Sequence, residues 1–158
     1  MNAKHFLIIG LAIAIIAISP LSAADDDMLS TLDITPFTDD TNVTVDGINF
    51  NVPKGFGEYS DLSKENTTIP FGDAEVTLNN YQYMNEDGDM LNIQVMSTSD
   101  KNFTTEELPS QEGMAKKTLN GKDGMYSESD DIAMFVYTQD GKYVQVSADK
   151  DVISKVII

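Results

Sequence analysis

Short turn signals set between runs of alternating apolar residues constrain this chain more than any other feature. Asp46-Gly47 separates Val43 and Val45 from Ile48, Phe50 and Val52, and Asp140-Gly141 separates Ile132–Thr138 from Lys142–Ala148. Asp and Gly accept the positive φ angles of tight hairpin turns, and an apolar period of two gives each strand one core face. A third hairpin is expected from Glu75–Met84 to Met90–Ser97, turning at Asn85-Glu86-Asp87-Gly88-Asp89. In its outgoing strand Val76 and Leu78 share one parity while Tyr81 and Tyr83 take the other, which predicts a bulge near Asn79-Asn80.

Elsewhere the pattern changes. Thr104-x-x-Glu107 has the form of a capping box, and Met114, Ala115 and Thr118 fall within reach of one helical face, so a short or broken helix is expected over Thr104–Lys117. Asn120-Gly121 and Asp123-Gly124 then return the chain to strand at Met125–Glu128. Asp149 or Asp151 is placed to cap a last helix bearing Val152, Ile153, Val156 and Ile157, and Asp61–Gly72 reads as polar and irregular. The expected class is α+β: an antiparallel sheet of three hairpin units with one or two helices, including the C-terminal one.

The N-terminus has a different character. Lys4 precedes an unbroken apolar run from Phe6 to Ile18, Ser19-Pro20 breaks it, and Ser22-Ala23-Ala24 offers small residues. That is the order of an export signal. As helix, the run would rise about 20 Å, short of a roughly 30 Å hydrocarbon core. The expectation is a signal over 1–24, an acidic tether over 25–42 and a single domain over 43–158, secreted or held in the cell envelope. A membrane enters only if the apolar segment is retained as an anchor.

Ten lysines, no arginine and 26 carboxylates give the chain a net charge of −16, and −17 without Lys4. Such a charge repels nucleic acid and anionic lipid. His5, the one histidine, lies in the export segment, so the remainder holds no His, Cys, Arg or Trp. Without an imidazole no Ser–His or Cys–His pair can form, and His- or Cys-based zinc sites, thiol redox chemistry and Arg clamps are absent as well. Carboxylate pairs and a Ser63–Lys64 dyad are formally available, but no motif selects them. No catalytic residue and no cofactor is expected.

Three features bear on binding. The oxygens of Asn85, Asp87 and Asp89 suit a hard cation such as calcium, although the twelve-residue spacing of an EF-hand is missing. Tyr81, Tyr83, Met90 and Met96 would meet on one sheet face if the outgoing strand changes phase, and an exposed patch there would receive a ligand. Asn42, Asn66 and Asn102 each begin an Asn-x-Thr acceptor for glycosylation.

The stretch Ile48-Asn49-Phe50-Asn51-Val52-Pro53-Lys54-Gly55-Phe56 resembles the opening strand of the Mog1/PsbP-like α/β/α sandwich group, and the ending through Asp140-Gly141-Lys142 to Val156-Ile157 is similar to its last hairpin and helix. Small secreted proteins of unknown function in methanogenic archaea have a similar layout. The resemblance implies a fold and no particular residue role, since one fold hosts many activities. The resulting expectation is a non-enzymatic exported domain that contacts a protein or small molecule, with a calcium-binding module as the alternative.

Overall fold

The computed structural model describes residues 34–158 except 72, 73 and 111. The segment expected to be an export signal (1–24) and residues 25–33 of the expected tether therefore lie outside the described residues. Ten strands follow one another: β1 (Thr41–Val45), β2 (Ile48–Val52), β3 (Gly57–Glu58), β4 (Lys64–Phe71), β5 (Ala74–Met84), β6 (Met90–Ser97), β7 (Ala115–Leu119), β8 (Lys122–Ser129), β9 (Ile132–Gln139) and β10 (Lys142–Asp149). Among the described residues there is one α-helix, α1 (Lys150–Val156), directly after the last strand. Strands make up 56% of the described residues and helix 8%. The fold is thus β-rich, which corrects the α+β expectation.

The missing helix explains that correction. Between Thr104 and Lys117 only Thr105–Glu107 forms a 3-10 turn, with the expected capping box. Pro109 and Gly113 stop propagation, and Gly113 takes a positive φ. Ala115–Leu119 then pairs with β8 across Asn120-Gly121, whose φ angles of 47° and 80° make the tight turn. Ala115 and Thr118 lie in an exposed strand and Met114 precedes it, so their helical spacing marks no helix.

β1 and β2 form a separate hairpin; the other strands make an antiparallel sheet in the order β3-β5-β6-β10-β9-β8-β7, with β4 also on β5. The last strand sits in the middle, between β6 and β9, so residues 98–114 must carry the chain across the sheet to β7. Both faces are covered as a result. On the first face Leu91, Ile93, Val95, Phe135, Val144 and Val146 pack beneath Phe50 and Val52 of the β1–β2 hairpin and Ile153 and Val156 of α1. On the second face Phe103 and Leu108 from the crossing segment seal a smaller cluster with Val76, Met96, Met125, Val136 and Tyr143. Burying each large side chain of this kind stabilises by about 1.5–3 kcal/mol. The hairpin and helix are joined by a Phe50–Ile157 bridge, and Asn51 Nδ2 donates to the Lys155 carbonyl at 3.1 Å.

Cover on both faces also explains the phase change in β5. Its register against β6 runs unbroken from Thr77–Ser97 to Met84–Met90, so β5 contains no bulge. Even residues point to the second face and odd ones to the first, and the apolar set simply moves from one buried face to the other. The irregularity lies opposite, in β4, between Lys64 and Thr67. There Asn66 takes φ 50°, its N–H donates to Asn79 Oδ1 at 2.9 Å, and Asn80 Nδ2 donates to the Leu62 carbonyl at 3.0 Å. The stretch expected to be irregular thus contains an eight-residue strand.

The described end of the tether is held against the domain. Phe37 N–H donates to the Phe56 carbonyl at 2.8 Å, Gly55 N–H to the Phe37 carbonyl at 3.0 Å, and the Phe37 ring lies 6.4 Å from that of Tyr83. A Cβ on Gly57 would come within 2.6 Å of Ile34 Cγ2, so only glycine admits this close approach. Among the described residues no helix is long and apolar enough to cross a membrane.

Candidate functional site

The Tyr–Met patch does not assemble. Tyr83 pairs with Leu91 and belongs to the first-face core with Tyr81 beside it, whereas Met96 sits in the second-face cluster opposite Leu78. Met90 pairs with Met84 and is half-buried on that second face. A bulge in β5 would have brought the four residues together; the unbroken register separates them. Burial, and then the charge of Glu58, raise the Tyr83 phenol well above its ordinary value.

The Asn85–Asp89 loop is a self-closed turn. Asn85 Oδ1 accepts from the backbone N–H of Asp87 at 3.0 Å and of Asp89 at 2.8 Å, while its Nδ2 donates to Asp89 Oδ2 at 2.7 Å. The oxygen expected to face a cation is thus engaged by the backbone, and Asp87 is exposed. Asp89 instead joins Asp131, Asp149 and Asp151 around a depression of about 350 Å³ that also carries Lys150. Burial, followed by the charge of Asp89, its hydrogen bond, and the charges of Asp131 and Asp151, raises the Asp149 carboxyl above the usual range. Among the described residues no three such side chains are placed to hold a metal ion.

Asn42, Asn66 and Asn102 are all exposed. Asn42 lies on β1 opposite Asn51, Asn66 at the β4 bulge, and Asn102 over Gly141, where a Cβ would strike its side chain.

A further concavity lies elsewhere. A groove of about 450 Å³ runs between the 3-10 turn and the β7–β8 hairpin, lined by Thr105, Glu106, Lys116, Thr118, Asp123 and Met125 among others. Met125 is buried and forms an apolar floor continuous with the second-face cluster. Thr105 and Thr138 hydroxyls meet at 3.2 Å and tie the turn to the sheet, and Thr118 Oγ1 donates to Asp123 Oδ1 at 2.5 Å. Lys116 stands exposed at the rim, and neither it nor the adjacent, also exposed Lys117 forms an ion pair among the described residues. Lys117 lies on the other face, its ammonium 3.6 Å from the centre of the Tyr126 ring, whose hydroxyl donates to Glu128 at 2.8 Å. Sequence reasoning passed over this pair. Two adjacent lysines in a chain of net charge −16 were the available signal.

Comparisons with protein families, with curated proteins and with solved structures find no match to this chain.

Proposed function

We propose that this chain is a non-enzymatic exported domain that binds an anionic segment of a partner at the β7–β8 groove. The observation that carries this reading is the adjacent Lys116 and Lys117, both exposed and without an ion-pair partner among the described residues, Lys116 at the rim of the groove and Lys117 on the opposite face of the same strand. Among the other described lysines, Lys101 pairs with Glu107, Lys142 with Asp46 at 3.1 Å and Lys150 with Glu128 at 4.0 Å. Lys54, Lys64, Lys122 and Lys155 form no ion pair among the described residues, but none of them neighbours another lysine in the sequence. Glu106 and Asp123 also line the groove, and the Thr118 hydroxyl satisfies one Asp123 oxygen. They set a limit on ligand charge density: acidic groups interspersed with neutral ones, and present on both faces of an extended segment, fit better than a continuous acidic run. Export supports the reading only through the N-terminal pattern.

Fluorescence anisotropy with a labelled Thr/Glu peptide tests this. Exchanging both lysines (Lys116→Glu, Lys117→Glu) should weaken binding at least tenfold, while the exposed Lys54→Glu should leave it unchanged. Equal loss in both variants would reduce the effect to net charge and overturn the site.

A further inference from the structure

Resting on that reading, we infer that β7 receives its partner by strand addition: an extended acidic peptide becomes the next strand of the sheet. β7 ends the sheet's strand order, with no partner on its outer side among the described residues. In a hairpin closed by two turn residues the flanking pair, Leu119 and Lys122, exchanges both backbone bonds, and bonded pairs then alternate. Lys117–Gly124 and Ala115–Tyr126 are the next bonded pairs in the observed register. Lys116 and Thr118 therefore turn their N–H and C=O groups outward. Four backbone groups stand ready at the open edge, and main-chain bonds of this kind supply the affinity in β-augmentation.

The opposite edge is closed to such pairing. β4 carries Pro70, which has no N–H, and the Lys64–Thr67 bulge, and β3 is only two residues long. Bulges and prolines are the usual devices against edge pairing. At β7 the only such device is charge, and charge is selective. Two copies joined β7 to β7 would bring four lysines together, whereas an acidic strand places carboxylates beside Lys116 on the groove face and beside Lys117 on the Tyr126 face. Side chains alternate across a strand, so the two adjacent lysines read both faces of one incoming segment.

Three eight-residue Thr/Glu peptides test this on the purified protein: an unmodified one, and two N-methylated at alternate sets of amides. Strand addition presents one set to β7 and the other to solvent. One methylated peptide should lose binding at least tenfold and the other keep it, with the Lys116 and Thr118 amides slowed in hydrogen exchange. If all three bind alike and those amides exchange as in the free protein, strand addition fails while the charge reading stands. If none binds, or binding survives Lys116→Glu/Lys117→Glu, the charge reading itself fails. Protection of the same amides on raising protein concentration alone, with a doubled mass in solution, would assign the edge to a second copy and overturn the acidic partner.

Discussion

Two side chains show how much a single residue's surroundings matter here. Tyr143 is almost wholly inside, its ring edge-on to Phe103 at 6.1 Å and to Phe71 at 6.4 Å, yet its hydroxyl has no hydrogen-bond partner among the described residues. An unsatisfied buried hydroxyl costs about 1–3 kcal/mol. Tyr143→Phe keeps the ring packing and removes that cost, so it should be neutral or raise stability by about 1 kcal/mol in urea denaturation; a clear loss would reveal a partner for the hydroxyl. Asp149 sits at the N-cap of α1 without using its side chain to cap it. Its folded pKa is raised, chiefly by burial and then by Asp89. The folded chain therefore keeps a proton that the unfolded chain releases at the ordinary aspartate value, and stability is lost as pH rises from there through the raised folded value. Asp149→Asn should melt higher than the parent at pH 7 and alike at pH 3, a difference kept modest by solvent around a half-exposed group.

Hairpins were legible at the element scale wherever a turn signal separated alternating apolar residues: β1–β2, β5–β6 and β9–β10 all pair as their sequences read. α1 was legible as well, since Ile153 and Val156 are spaced to share its buried face. Two strands were not. β4 (KENTTIPF) and β7 (AKKTL) lie mostly exposed at the sheet margins, so backbone pairing holds them and no apolar alternation marks them. Residues Tyr81 and Met96 illustrate the same limit at the site: periodicity shows that a strand changes its apolar parity, but only the partner strand shows whether it bulges or is buried on both faces. The groove was illegible because its walls, the 3-10 turn and the first residues of the β7–β8 hairpin, lie where a helix was expected. Coupling between residues far apart in sequence has one accessible test at Asn120. Its Nδ2 donates to the carbonyls of Ser154 and Ile157, each at 2.7 Å, so a hairpin turn caps the end of α1. Asn120→Gly retains the positive φ but deletes both bonds, and should cost about 1–2 kcal/mol. Hydrogen exchange should localise the loss to α1; an unchanged helix would mean that its packing alone holds it.

For the molecule as a whole, charge sets the conditions under which the other forces act. A chain of net charge −16 repels itself when folded, and added salt shortens the range of that repulsion to about 10 Å at 0.1 M. The melting temperature should therefore climb with NaCl. Calcium offers a sharper question, because a divalent ion screens and can also bind. A site used by the folded chain alone would add stability as the logarithm of ligand concentration, about 2.7 kcal/mol at a hundred times Kd. The geometry argues for screening alone. Asn85 Oδ1 is taken by two backbone N–H groups, and the carboxylates of Asp89, Asp131, Asp149 and Asp151 line a depression without three of them converging. Millimolar CaCl₂ and NaCl at matched ionic strength should then raise the melting temperature equally. An excess for calcium that disappears in Asp149→Asn would instead place the ion among those four aspartates, drawn together by binding it. An excess that persists in that variant but is lost in Asp87→Asn would return it to the Asn85–Asp89 turn. The raised pKa of Asp149 makes the distinction sharper, since a bound cation stabilises the charged carboxylate and would reverse the pH trend of that residue. Melts at pH 4 and pH 7, each with and without calcium, read both effects: under screening alone the parent keeps its penalty on raising the pH, and under binding it loses it.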